Sequence, residues 1–180
     1  MSQNVEHELV LRRAKCRPLW THSASTRLVD MERPEIERLI PHRDPFLLID
    51  TITALDFEQR ALEGKRRISP LDPVFAGHFP GQPIYPGVLL LEMMGQLGLC
   101  LIGLEAKPAA EDGTADGAIL SSVRLVGIHS SLFTAPVLPG DEVTLRSLFI
   151  EDSGITVTLA GQASRGETIC ALGVMEVYCG

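Results

Sequence analysis

The stretch that most constrains this chain is residues 88–104, VLLLEMMGQLGLCLIGL, a helix-length segment that is apolar on almost every side. A surface helix keeps a polar face toward water, so a helix apolar all round is either buried or crosses a bilayer. Glu92 and Gln96 interrupt its first half, no aromatic belt flanks it, and the downstream residues read as strands rather than further apolar spans. Burial is the expectation, with no membrane span.

The remainder is strand-like. Residues 46–57, 61–68, 118–128, 142–151, 155–164 and 168–179 form short runs rich in Val, Ile, Leu and Thr, separated by turn residues. Asp152-Ser153-Gly154 and Ser164-Arg165-Gly166 read as hairpin loops, which favours an antiparallel meander. A short helix is expected at 34–39, with Pro34 in its first turn and Pro41 ending it. One buried helix and about six antiparallel strands predict an α+β fold in which a sheet wraps around a central helix. With 180 residues and 45% hydrophobic content, one core is expected, over residues 33–180. Residues 1–32 mix Arg12, Arg13, Lys15 and Arg17 with polar residues and show no sustained period. They are expected to form an N-terminal arm of low intrinsic order.

The formal net charge of -7 argues against a nucleic-acid binder, which needs a surplus of Lys and Arg on one face. Cys16, Cys100, Cys170 and Cys179 are scattered, without the spacing of a zinc site, so reduced thiols are the default. No apolar run of signal-peptide length precedes Pro18, and a cytoplasmic location is expected.

The chemistry concentrates in FAGHFPGQPIYPGVLLLE at 75–92, where prolines and glycines fix an irregular backbone just before the apolar helix. Pro86 and Gly87 fall where that helix begins, so the Gly87 N–H is a free donor at the positive end of the helix dipole, fit to hold a carbonyl gaining negative charge. Glu92 comes one and a half turns later among Leu and Met. A carboxyl group buried there is costly to ionise, and a neutral carboxyl is what a general acid requires. Gln96, at i+4, lies beside Glu92 and can orient it. His78 is the natural base to pair with such an acid. Together the three groups fill the roles of a thioester elimination. No metal or redox cofactor is expected, since the chain has neither ligand clusters nor a phosphate-binding G-x-G-x-x-G loop.

The string GHFPGQPIYPGVLLLEMMGQ resembles the signature of the bacterial 3-hydroxyacyl-acyl-carrier-protein dehydratases of the FabZ type. ERLIPHRDPFLLID at 37–50 and PVLPGDEV at 136–143 look like two further segments of that family, so the resemblance covers about 33–178. It implies a hot-dog fold and a homodimer with two sites in its interface, often assembled as a hexamer of three dimers. By motif position it implies His78 as the catalytic histidine, Glu92 as the acid supplied by the neighbouring subunit, and Gly87 as the amide that holds the thioester carbonyl. Phe79, Pro80, Tyr85, Val88 and Gln96 are expected to contact the substrate, an acyl thioester on a phosphopantetheine arm, with Tyr85 lining the acyl tunnel. Glu at 92, rather than Asp, favours the FabZ type over the related FabA type.

Two departures stand out. Asp44 occupies a position that is often aromatic or apolar in the family. The segment from His129 to Pro136 lacks the Lys and Arg that help dock the acidic acyl carrier protein, three of those positions being Ser130, Leu132 and Thr134. Lys65, Arg66 and Arg67 are candidate substitutes, and Leu132 and Phe133 are candidate apolar contacts to a specialised carrier. Two other activities stay open on the residues alone: a hot-dog acyl-thioesterase using Glu92 on water, and a non-catalytic acyl-thioester binding subunit.

Overall fold

A computed structural model of the chain describes residues 3–105 and 123–179. Its elements are α1 (Gln3–Ala14), β1 (Arg27–Glu32), α2 (Arg33–Ile36), β2 (Thr51–Asp56), β3 (Ala61–Arg67), α3 (Gly87–Glu105), β4 (Val123–Phe133), β5 (Glu142–Asp152), β6 (Thr156–Arg165) and β7 (Thr168–Cys179). The strands form one antiparallel sheet of seven, in the order β1-β2-β3-β5-β6-β7-β4. Two meanders, β1-β2-β3 and β5-β6-β7, are joined edge to edge between β3 and β5. The hairpins at Gly154 and Gly166 both use positive φ, at 77° and 53°.

The apolar segment is the core. α3 lies across β3, β5, β6 and β7, and Met93, Met94, Leu97 and Leu101 are fully buried there. By length and composition α3 would also suit a membrane, but the sheet curls around it and buries most of its apolar side chains. Strand alternation results from this contact: in β5, Val143, Leu145, Ser147 and Phe149 turn toward the core and the intervening residues are less buried. Two glycines let helix and sheet come this close. A Cβ on Gly98 would collide with Leu159 Cδ1, and one on Gly161 would fall 2.5 Å from Met94 Cβ.

The first 32 residues depart from the expected arm of low order. They contain α1 and β1, and β1 makes the sheet seven-stranded rather than six. α1 covers the sheet face opposite α3, where Leu11 and Ala14 pack on Ala160, Leu172 and Val174. Gln162 ties the arm down: its Nε2 donates to the carbonyls of Ala14 and Arg17, and its Oε1 accepts from the Leu19 N–H. Trp20 is buried against Ala54 and Ala61 and donates to Leu62 O. β6 is consequently buried on both faces along most of its length.

Boundaries shift modestly elsewhere. The helix expected at 34–39 is the single turn of α2, and the strand expected from residue 46 starts at Thr51, because 41–48 is held as a loop against α3. Of the strand expected at 118–128, residues 118–122 lie outside the described residues, and β4 continues to Phe133. Cys16, Cys100 and Cys170 are free.

Candidate active site

The loop before α3 is built to hold one side chain. Asp72 caps a 3-10 turn at Pro73–Ala76 by accepting from the Val74 N–H, and the His78 N–H then donates to Val74 O at 3.0 Å. A tight turn pairs Phe79 with Gln82 in both directions, with Gly81 at φ 78°, and brings Ile84 back to His78. His78 Nδ1 lies 2.8 Å from Ile84 O. A carbonyl only accepts, so Nδ1 carries the proton and the neutral ring presents its Nε2 lone pair as a base. The Phe79 ring stacks on the imidazole with centroids 4.0 Å apart.

His78, Tyr85, Gly87, Val88 and Phe133 line a cavity of about 440 Å3 at the N-terminus of α3. Gly87 opens the helix, and its N–H meets no acceptor among the described residues, as the first turn of a helix requires. Phe133 leans on it so closely that a Cβ at 87 would lie 2.7 Å from the ring. Tyr85 is buried, its N–H donating to Val137 O. Burial pushes its phenol up to about 12, and the hydroxyl has no hydrogen-bond partner among the described residues. Pro80 is exposed on the turn and lines none of these walls.

Glu92 faces elsewhere. It lines a second cavity of about 370 Å3, with Leu91, Gly95, Leu125 and Ile128, and Val88 is the residue shared by the two cavities. The carboxyl is also less enclosed than a run of Leu and Met implies, at 32% exposure. Gln96 does orient it: Nε2 donates to Glu92 Oε1 at 2.9 Å and to Phe46 O at 2.8 Å, and Oε1 accepts from the Leu48 N–H at 2.9 Å. Sequence reasoning missed His42, whose Nε2 is 3.5 Å from Glu92 Oε1. Its signal, a histidine fifty positions away, gains meaning only once 41–48 is seen against α3. Cys100 continues the Glu92 and Gln96 stripe but is buried in the core, which raises its thiol well above the ordinary range.

The two departures also find places. Asp44 is exposed and paired with Arg33. Lys65 is paired with Glu142 at 2.8 Å and Arg66 with Asp50 at 2.8 Å, while the exposed Arg67 has no ion pair among the described residues. Leu132 is partly buried in the cluster beneath α1, and Phe133, still 48% exposed, lines the His78 cavity.

An antiparallel sheet curled around one central helix, with a histidine-bearing loop at the helix N-terminus, defines a hot-dog protein. The chain belongs to the family of the FabA-like domain, whose model matches residues 40–172. It is 41% identical over 133 residues to the 3-hydroxyacyl-[acyl-carrier-protein] dehydratase FabZ of Sulfurimonas denitrificans, covering 74% of this chain and 86% of that protein. It is 36% identical over 142 residues to the FabZ of Chlamydia trachomatis serovar L2, covering 79% of this chain and 88% of the relative. Among solved structures, the dehydratase heterocomplex ApeI:P from Xenorhabdus doucetiae is similar in fold, with a TM-score of 0.62 at 18% identity, over 81% of this chain and 90% of that one.

Proposed function

We propose that this chain is a dehydratase that converts a 3-hydroxyacyl thioester to the trans-2-enoyl thioester in fatty-acid or related acyl-chain synthesis. The observation that carries the reading is the pairing, in one cavity, of the His78 Nε2 lone pair with the first N–H of α3, in a chain of this family. The substrate enters on a phosphopantetheine arm, and its thioester carbonyl accepts from the Gly87 N–H. Polarised in this way, C2 gives up a proton to His78 Nε2. Its C–H pair becomes the C2=C3 double bond as the C3–O bond breaks, and the leaving oxygen takes the proton of Glu92. Water departs, and transfer of the proton from His78 to the Glu92 carboxylate resets the site.

In one chain the base and the acid line different cavities, so the reading requires a second copy. β4 is an open edge of 11 residues on which Leu125 is 55%, Val126 57% and Ile128 48% exposed. Edges of this kind attract another strand. Two copies joined along β4 would cover this surface and the exposed Val88, and would bring Glu92 of one toward His78 of the other.

The test is an assay with matched 3-hydroxybutyryl and 3-hydroxydecanoyl thioesters, each on acyl carrier protein and on coenzyme A. Enoyl thioester is the expected product. Free thiol released without any enoyl product would replace this reading with thioester hydrolysis.

A further inference from the structure

A histidine next to Glu92 has no part in these proton transfers. His42 stands in the loop before β2, with Nε2 3.5 Å from Glu92 Oε1. That oxygen already accepts from Gln96, and Gln96 cannot turn over. Reversing its amide would break the bonds to Phe46 O and to the Leu48 N–H together. Glu92 Oε1 is therefore an acceptor, while Oε2 has no partner among the described residues.

The tautomer of His42 is set by its other nitrogen. Nδ1 is buried without a hydrogen-bond partner among the described residues. An orphaned buried N–H is rarer in proteins than an under-satisfied acceptor, so Nδ1 carries the lone pair and Nε2 the proton. Burial lowers the His42 pKa; Glu92 opposes that shift, and Arg43 adds to it. Arg43 donates to the carbonyls of Ile40 and His42, and its Nε lies 4.0 Å from Glu37 Oε2. Glu92 and His42 are the only titratable groups among the described residues lining this cavity, whose other walls on α3, β4 and β7 are uncharged. The ring thus sits as a neutral donor, stacked on Phe46. At 3.5 Å the contact is longer than a hydrogen bond, and contacts of this kind in acid-base sites often tighten as the reacting complex forms.

We propose that His42 is a positioning residue for the acid: together with Gln96 it occupies Glu92 Oε1, so that the transferable proton is carried on Oε2 into the cavity. The proposal rests on the dehydratase reading above. Its test compares kcat and KM for enoyl formation in wild type, His42→Phe, His42→Gln and Glu92→Gln. Phe keeps the ring without the donor, and Gln supplies a donor that cannot titrate. His42→Phe should lower kcat about tenfold with KM held within about twofold, and His42→Gln should return to within about threefold of wild type. Equal losses in Phe and Gln, a loss confined to KM, or two variants at the wild-type rate would each overturn the His42 role while leaving the dehydratase reading in place. Wild-type turnover in Glu92→Gln would overturn the acid assignment, and the role of His42 with it.

Discussion

At the scale of single residues, the site depends on which atoms are already engaged. His78 Nδ1 is committed to Ile84 O, which leaves Nε2 free, and Gln96 fixes one oxygen of Glu92. His78→Ala and Glu92→Gln should each reduce enoyl formation by about two orders of magnitude with the thermal transition preserved, as for general acid-base groups. Steady-state rates and melting curves on the same samples check this. The placement of His78 before α3, of Gly87 at its start and of Glu92 beside Gln96 was legible because all four sit within one short stretch. His42 was not, since its relation to Glu92 exists only after 41–48 folds back on α3. Asp56 makes a second residue-scale point. Burial would raise its carboxyl pKa, yet hydrogen bonds from Gln59, Thr26 and Ser23 outweigh that and hold it well below the ordinary aspartate range. Because the folded pKa is the depressed one, this stabilisation is present above the unfolded value of about 4 and is lost as pH falls below it. Urea midpoints should therefore decline through that acidic range, and Asp56→Asn should flatten part of the decline.

At the scale of elements, the helix and the later strands could be read because burial on one side leaves a periodic trace. β7 begins and ends where its Val, Leu and Thr content places it, at Thr168–Cys179. The N-terminal helix left no such trace. Its packing rests on a few small or isolated contacts, Leu11 and Ala14, and on backbone carbonyls taken up by a glutamine almost 150 positions away. β6 did not betray it either: TVTLAGQASR sets Thr156, Thr158, Gln162 and Ser164 on one face and Val157, Leu159 and Ala163 on the other, the alternation of a strand with one face in water, although both faces are buried. Gln162→Ala would leave the Ala14 and Arg17 carbonyls and the Leu19 N–H without their partner. The expected cost is about 2 kcal/mol or more in urea unfolding, with earlier proteolysis near residue 17.

At the scale of the whole molecule, His78 and Glu92 line different cavities, and under the proposed reading activity is then a property of pairs. Mixing His78→Ala and Glu92→Gln subunits should recover part of the lost turnover, because one of the two sites in a mixed dimer regains both groups. A fully active monomer in sedimentation would contradict this. The surface also bears on carrier use. Lys65 and Arg66 are paired with Glu142 and Asp50, Arg67 alone of the three has no ion pair among the described residues, and the segment from His129 to Pro136 carries no Lys or Arg. For one acyl chain, kcat/KM on coenzyme A should be close to that on a generic carrier protein and change little from low to physiological salt. A strong carrier preference that collapses with salt would reveal a basic patch elsewhere. The close seating of α3 on the sheet has a consequence for how the protein can diversify. With Met94 Cβ 2.5 Å from where a methyl group at Gly161 would stand, any side chain there pushes on the helix backbone rather than on a yielding tip. Glu92 stands on that helix, two residues before Met94, so position 161 acts as a shim behind it. Under the proposed reading, a substitution there would shift Glu92 relative to His78 from the far side of the wall, at a position that lines neither cavity.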